Sequence, residues 1–237
     1  MNIALIGYGK MGKAIEGIAR ERGHNVVCIV DAHNADTFGG EDFQKADVAI
    51  EFTTPSTAFD NLLKSAERGV PVVCGTTGWL SKVDNIKRLC NDGKATVFYS
   101  SNYSIGVNVF FAVNRYLAKI MNRFSQYDVS MKEIHHIHKL DHPSGTAITL
   151  AEDIVAGIDR KNGWAERSEA ADMVNIVSER EGEVPGTHLV EYRSEEDSIR
   201  ICHEAFSRRG FALGAVLAAE WLSGRQGWFT MNDMLDF

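Results

Sequence analysis

The tightest constraint on this chain lies near its start. The apolar run at residues 2–6 leads into Gly7-Tyr8-Gly9-Lys10-Met11-Gly12 and then into a helical pattern at residues 10–22. A GxGxxG set between a strand and a helix has a mechanism at each glycine. The first permits the tight turn, the second lets main chain approach a pyrophosphate, and the third lets the helix pack closely on the strand. The free amides of the helix start then point at the anion. Asp31 follows the next apolar run, 24 positions after Gly7, where an acid accepts hydrogen bonds from the adenosine ribose. Candidate cofactor residues are therefore Gly7, Tyr8, Gly9, Lys10, Met11, Gly12 and Asp31.

The pattern around this motif repeats. Strand-like runs fall at residues 2–6, 25–30, 47–52, 71–74 and 95–99, with helical segments at 10–22, 56–68 and 80–91. Strands alternating with helices imply parallel pairing through helical crossovers, hence an α/β doubly wound sheet of the Rossmann kind. The strands read as apolar on both faces, as a sheet covered on both sides requires. Ligands of such a sheet bind outside the carboxyl ends of its strands. Gly75, Thr76 and Thr77 after the fourth strand, and Ser100, Ser101, Asn102 and Tyr103 after the fifth, join the candidate cofactor set on that ground.

After Ser100 the pattern changes. A helix is expected at residues 106–122, with Phe110, Val113, Leu117 and Met121 on one stripe. Strands are expected at 127–134, 173–178, 187–193 and 198–205, the last two joined in a hairpin by Ser194-Glu195-Glu196-Asp197. A helix begins near Ser144, and an apolar closing helix spans 210–223. The expected organisation is a dinucleotide-binding domain at 1–105, completed by 210–237, and a mixed-sheet α/β domain at 106–209 for substrate binding and oligomerisation.

Charge and cysteine usage narrow the partners. A net charge of −7 argues against nucleic acid or an acidic membrane, which demand a concentrated basic surface. No stretch approaches the roughly 20 apolar residues of a membrane helix, and no secretory leader pattern opens the chain, so the cytoplasm is expected. Cys28, Cys74, Cys90 and Cys202 have no metal-ligand spacing, and the first two sit in strand runs where a thiol acts as a small core side chain.

The most informative stretch is Glu133-Ile134-His135-His136-Ile137-His138-Lys139-Leu140-Asp141-His142-Pro143-Ser144-Gly145-Thr146-Ala147. Four histidines and a lysine fall within eight residues, followed by a helix start with Ser144 as its cap. The amides near Ser144, Gly145 and Thr146 form an anion site. With Lys139 and the histidines they make a positive patch suited to a carboxylate-bearing substrate, and a histidine titrating near neutrality can move a proton. A metal held by His136 and His138 with Asp141 or His142 is the other chemistry such spacing permits. The adjacent lysine and anion-type helix start disfavour it, so no metal is expected. Arg208 and Arg209 read as a solvated pair.

The stretch HHIHKLDHPSGTA resembles the signature of the 4-hydroxy-tetrahydrodipicolinate (dihydrodipicolinate) reductase family of lysine and diaminopimelate biosynthesis. The likeness extends to IALIGYGKMG, VAIEFTTPS, VCGTTG, SSNYSIGVNVF, GEVPGTH and HEAFSRRGFALGAVLAAEWL, and is weakest between Ile158 and Met173. It implies loss of water from, and reduction of, a cyclic imine dicarboxylate by NADH or NADPH in a homotetramer built through the second domain. His135 then matches the proton donor, Lys139 the residue assisting it, and His136, Gly145 and Thr146 substrate contacts. The donor's pKa is expected to be lifted by the substrate's charge. This chain departs from the family in a glycine loop one residue shorter, in Ala32 where a basic residue often stands, and in Glu51 for the common Asp. NADH is the expected preference, since Asp31 repels a 2′-phosphate and Ala32, His33 and Asn34 offer no fixed positive charge, Lys10 being the cation that weighs the other way. The competing readings are another two-domain Rossmann reductase and a non-enzymatic NAD(H)-sensing module. A sensor has no need of a proton donor beside an anion cradle, and aspartate-semialdehyde dehydrogenase lacks its nucleophilic cysteine here.

Overall fold

Ile3, Ala4, Leu5 and Ile6 are all almost fully buried, and a segment apolar on both sides is stable as a strand covered on both faces. They form β1 (Asn2–Ile6), the inner strand of a parallel sheet in the computed structural model, which describes residues 1–34, 37, 38 and 40–236. The remaining strands of this sheet are β2 (Asn25–Val30), β3 (Val48–Glu51), β4 (Val72–Cys74), β5 (Val97–Tyr99) and β11 (Trp228–Phe229). Their order is β11-β5-β4-β3-β1-β2. The chain reverses its direction of travel between β1 and β3, so the turns after these two strands flank the switch-point crevice.

Two cores cover the faces. On one, α3 (Pro55–Glu67) and α4 (Val83–Asn91) bring Ala58, Leu62, Ile86 and Cys90 onto the sheet. On the other, α1 (Lys10–Glu21) and α7 (Arg209–Leu222) bring Ile15, Ile18, Ala215 and Leu222. The closing helix thus completes the first unit, Met1–Ile105 with Arg209–Phe237. A Cβ on Gly214 would lie 1.7 Å from the Tyr103 carbonyl oxygen, so α7 sits directly on the main chain after β5. The short helix α2 (Glu41–Gln44) and the two-residue strand β11 carry too few residues to show a period, and the sequence pattern does not announce either. Cys28 and Cys74 are buried thiols within strands, as expected.

The second unit, Gly106–Arg208, is a five-stranded mixed sheet in the order β10-β9-β6-β8-β7. Its strands are β6 (Asp128–His135), β7 (Gly163–Glu166), β8 (Met173–Arg180), β9 (Gly186–Arg193) and β10 (Ser198–Ala205). β6 runs parallel to β8 and antiparallel to β9. The β9–β10 hairpin turns where the charged tetrapeptide predicts it, with Ser194 N–H donating to the Asp197 carbonyl at 2.9 Å. Helices α5 (Ile105–Met121) and α6 (Gly145–Gly157) contribute Phe110, Ala118, Leu150 and Ile154 to the core with Val129, Met131, Val174 and Val190. β7 escapes sequence reading because its four residues show no alternation.

The stripe expected on α5 is corrected. Its buried face runs through Val107, Phe110, Asn114, Ala118 and Met121, while Val113 is 43% exposed. The helix is apolar around much of its girth, so hydrophobicity alone does not choose the inner face. Asn114 is tolerated inside because its amide donates to the Leu150 carbonyl at 3.0 Å. No helix among the described residues is long and apolar enough to cross a membrane.

Candidate functional site

The turns after β1, β3 and β4 enclose a cavity of about 360 Å³ lined by Gly9, Lys10, Met11, Phe52, Thr53, Pro55, Gly75, Thr76 and Thr77. Each glycine has its own reason. Gly7 has φ +93° and a Cβ there would strike the Phe52 carbonyl at 2.1 Å, while one on Gly12 would meet the Gly7 carbonyl at 2.3 Å. A Cβ on Gly9 would meet nothing within 4 Å. Gly9 is also the N-cap of α1, with no side chain capping the helix start. Uncapped amides beside a bare main chain that opens onto a cavity fit a pyrophosphate. Gly75 is needed for the Phe52 ring, which would lie 2.2 Å from its Cβ.

The other nucleotide candidates divide. Lys10, Met11, Thr76 and Thr77 line the cavity, and Thr76 Oγ1 accepts the Thr53 N–H at 2.7 Å, tying two of its turns together. The Tyr8 hydroxyl, in the turn before α1, is hydrogen-bonded to Glu16 on that helix. Asp31 stands just past β2, and its Oδ1 accepts the His33 N–H at 2.8 Å while Asn34 Oδ1 accepts the Asp31 N–H at 2.6 Å. Ser100, Ser101 and Asn102 form a self-braced turn, in which Ser100 Oγ donates to the Asn102 carbonyl at 2.7 Å. Tyr103 departs from the expectation of a cofactor-lining side chain. It is 2% exposed and its hydroxyl lies 2.8 Å from the Cys74 carbonyl, so its ring belongs to the core. Phe52, Thr53 and Pro55 are lining residues that sequence reading omitted, although they follow β3 on the same carboxyl edge. Beneath them Glu51, fully buried, accepts from Cys74 Sγ at 3.1 Å and from the Thr53 hydroxyl.

The second group of candidates assembles at the carboxyl end of β6. Strand alternation puts Glu133 and His135 on one face, with register partners His188 opposite Glu133 on β9 and Arg180 beside His135 on β8. Glu133, His135 and His188 are 1%, 8% and 4% exposed. Glu133 Oε1 accepts the Ser144 N–H at 3.0 Å, and Ser144 Oγ in turn accepts the Ala147 N–H at 3.2 Å, capping α6. The Ser144 amide is therefore spent within the protein rather than left for an anion. The main chain at Gly145 borders open space. Arg180 donates to the carbonyls of Lys139 at 3.3 Å and Asp141 at 2.5 Å, anchoring the loop, and Lys139 Nζ reaches both oxygens of Asp141 at 2.8 Å.

Electrostatics set the resting protonation. Burial pushes the Glu133 carboxyl up, but the adjacent His188 ring and the hydrogen bond from Ser144 outweigh it and hold the group well below the usual range. Burial lowers His135 to about 4, helped by neighbouring His188 and opposed by Glu133. In the free protein His135 is therefore neutral at pH 7. β6 ends at His135, so His136 and His138 do not share a strand face; their ring centroids are 6.1 Å apart and His138 pairs with exposed Glu183. The close set of potential ligand atoms among the described residues is instead Glu133, His135 and His188, all within 4.8 Å. Arg180 and Lys139 beside it disfavour a cation. Glu133, His188 and Arg180 went unnoticed as candidates because strand register, not proximity in sequence, brings them to His135.

The doubly wound sheet with its open glycine cradle, joined in one chain to a mixed-sheet unit bearing buried titratable groups, defines an oxidoreductase of the two-unit Rossmann class. The family follows from comparison with known proteins. Residues 1–103 match the family model "Dihydrodipicolinate reductase, N-terminus" and residues 106–235 its C-terminus counterpart. The chain belongs to the dihydrodipicolinate reductase family. It is 46% identical over 235 residues to a 4-hydroxy-tetrahydrodipicolinate reductase of Christiangramia forsetii, covering 99% of this chain and 98% of the relative. The corresponding enzyme of Archaeoglobus fulgidus is 35% identical over the full length of both. In structure the chain is similar to a dipicolinate-bound dihydrodipicolinate reductase from Paenisporosarcina sp. TG-14, with TM-score 0.79, 21% identity and 99% of each chain covered.

Proposed function

We propose that this reductase converts 4-hydroxy-tetrahydrodipicolinate to tetrahydrodipicolinate, with water lost, in lysine and diaminopimelate biosynthesis. The first unit holds the nicotinamide nucleotide and the second holds the substrate. The observation that carries the residue assignment is the gathering of His135, Lys139 and the start of α6 on one end of β6. A bound NADH or NADPH supplies the hydride. The chain's own task is to hold a dianion and deliver a proton. Negative charge of the substrate raises the affinity of His135 for a proton, and His135 gives that proton to the nitrogen side as charge builds there. Lys139 already grips a carboxylate, that of Asp141, and exchanges it for a substrate carboxylate. The Gly145 and Thr146 amides at the α6 start take further oxygens. His136 contacts the substrate, and Ser144 acts indirectly by fixing the helix start.

The cofactor reading favours NADH. Asp31 is oriented by its own turn and its charge opposes a 2′-phosphate. The assembly reading is a homotetramer through the second unit, supported by the apolar outer face of α5. A cytoplasmic location suits a chain whose cysteines are free thiols. The experiment is oxidation of NADH and of NADPH in the presence of substrate freshly generated by an aldolase from pyruvate and aspartate semialdehyde. Rapid substrate-dependent oxidation is expected. Folded protein that binds NADH without turnover would discard the substrate while leaving the nucleotide reading intact.

A further inference from the structure

The register of the second sheet brings two imidazoles to one carboxylate oxygen. Glu133 Oε2 lies 3.4 Å from His135 Nδ1 and 3.6 Å from His188 Nε2. The other oxygen, Oε1, accepts from Ser144 N and lies 3.5 Å from Arg180 Nη2. Glu133 Oε2 and His135 Nδ1 are buried, and in the resting arrangement neither has a hydrogen-bond partner. They lie close enough to bond but without the alignment of a hydrogen bond. Such contacts in unliganded sites tighten when the catalytic group takes its charge. Near His135 Nε2 stands Gly186, where a Cβ would sit 3.0 Å away; any larger residue on β9 would crowd that edge of the ring.

A carboxylate beside Nδ1 does two things to an imidazole that must donate from Nε2. It selects the tautomer with hydrogen on Nδ1, and it stabilises the imidazolium once Nε2 is protonated. We propose that Glu133 is the positioning residue of His135, holding it as the Nδ1–H tautomer and balancing its charge when it becomes the donor, while His188 competes for the same oxygen. The inference rests on the assignment of His135 as proton donor. The charged groups around that ring are Glu133 from β6, Lys139 with its partner Asp141 from the loop, Arg180 from β8 and His188 from β9. His203 of β10 lies across the register from His188. Two of these favour a proton on His135, Glu133 and Asp141, and the cations oppose it. Glu133 is the carboxylate within reach of Nδ1.

The competition has a consequence. His188 Nε2 is hydrogen-bonded to Ser144 Oγ at 3.2 Å and stands 3.6 Å from Oε2; burial first, and this neighbouring ring second, keep His135 neutral in the free enzyme, available to gain its proton only when an anionic substrate tips the balance. Replacing His188 by a neutral side chain leaves Glu133 to His135 alone. The ring then takes its proton at higher pH, before substrate arrives.

The test begins with the wild-type holoenzyme. Nitrogen-15 NMR of the histidine rings above pH 7 reads the His135 tautomer directly, and Nδ1–H is expected; an Nε2–H ring overturns the proposal. Glu133→Gln is expected to lower kcat ~10²-fold or more, the usual scale of lost acid catalysis, with KM and NADH binding little changed. Wild-type kcat in that variant overturns the proposal too. His188→Asn is expected to move the His135 titration, and the falling limb of the kcat profile, to higher pH; a shift to lower pH or none counts against it. Should Glu133→Gln not fold, the tautomer and the His188→Asn profile decide. The NMR reading needs no substrate, so failure of the proposed reaction would not be mistaken for failure of this inference.

Discussion

The ring of His188 stands edge-on to that of His135, with centroids 5.0 Å apart and planes at 72°, and both approach one oxygen of Glu133. Burial makes a charge on His135 costly, and a second ring so close adds to that cost. His135 is accordingly held near 4. In its proposed role as donor, a ring that rests neutral must collect its proton when a substrate dianion arrives. Binding of a dicarboxylate substrate analogue at pH 7.5 is therefore expected to take up protons. Calorimetry in buffers of different ionisation enthalpy measures this. Binding with no net uptake would remove His135 from the donor role.

The same groups make folding sensitive to acid. His135 has a folded pKa below its unfolded value, so the unfolded chain binds more protons between about 6.5 and 4 and stability falls as pH drops through that window. The lowered Glu133 acts in the same direction further down: its contribution is present above its unfolded pKa and is lost as pH falls toward the folded one. Melting temperature is expected to decline from pH 7 to pH 5, and His135→Gln to flatten that decline. An unchanged slope in the variant would mean that His135 is not buried neutral.

The catalytic assignment predicts that His135→Gln and Lys139→Ala each lower kcat ~10²-fold or more, the ordinary scale for loss of a general acid or of an electrostatic clamp. Steady-state rates with NADH in excess measure it. Near-wild-type turnover in both would discredit the two residues.

The glycine cradle gives a prediction that separates stability from binding. Gly9→Ala adds a methyl that meets nothing in the protein, so the fold is expected to hold its melting temperature while NADH affinity drops tenfold or more, as a blocked anion contact implies. Gly12→Ala drives a Cβ to 2.3 Å from the Gly7 carbonyl and is expected to destabilise the first unit itself, on the order of 1–3 kcal/mol. Denaturation and fluorescence titration of the two variants separate the effects. Unaltered NADH binding in Gly9→Ala would move the pyrophosphate elsewhere.

How much of this was legible in the sequence depends on how local the cause is. Gly7, Gly9 and Gly12 act within one turn, so their spacing alone announces the strand, the turn and the helix. The β9–β10 hairpin is equally local, fixed by Ser194 to Asp197. His135 and Lys139 could be read as candidates because they share a loop with the α6 cap. Glu133 was in plain view two residues before His135, but its importance comes from His188 and Arg180, which lie 55 and 47 residues from it in sequence and reach it only through the β9-β6-β8 order. No pattern along the chain encodes that order. Tyr103 misled for a related reason: its loop lies on the nucleotide edge, while its ring turns back to the Cys74 carbonyl. Val113 misled because α5 is apolar on two faces.

That second face carries the last prediction. Val109, Val113, Tyr116, Ile120 and Phe124 form an exposed apolar stripe along and just past α5, with Tyr116 70% exposed. On the sheet, β10 is an edge strand with Ile199 exposed. A continuous apolar patch and an open edge are costly to leave in water and invite another copy of the chain. The wild-type protein is expected to scatter light as a tetramer of the 26.2 kDa chain. Tyr116→Glu is expected to shift it toward smaller species, because a charge buried between copies has no partner there. Circular dichroism should be unaltered, since the residue takes no part in the core of its own chain. A wild-type protein that scatters as a monomer would mean that the stripe serves some other contact, and a tetramer undisturbed by the charge would put the interface on another face of the unit.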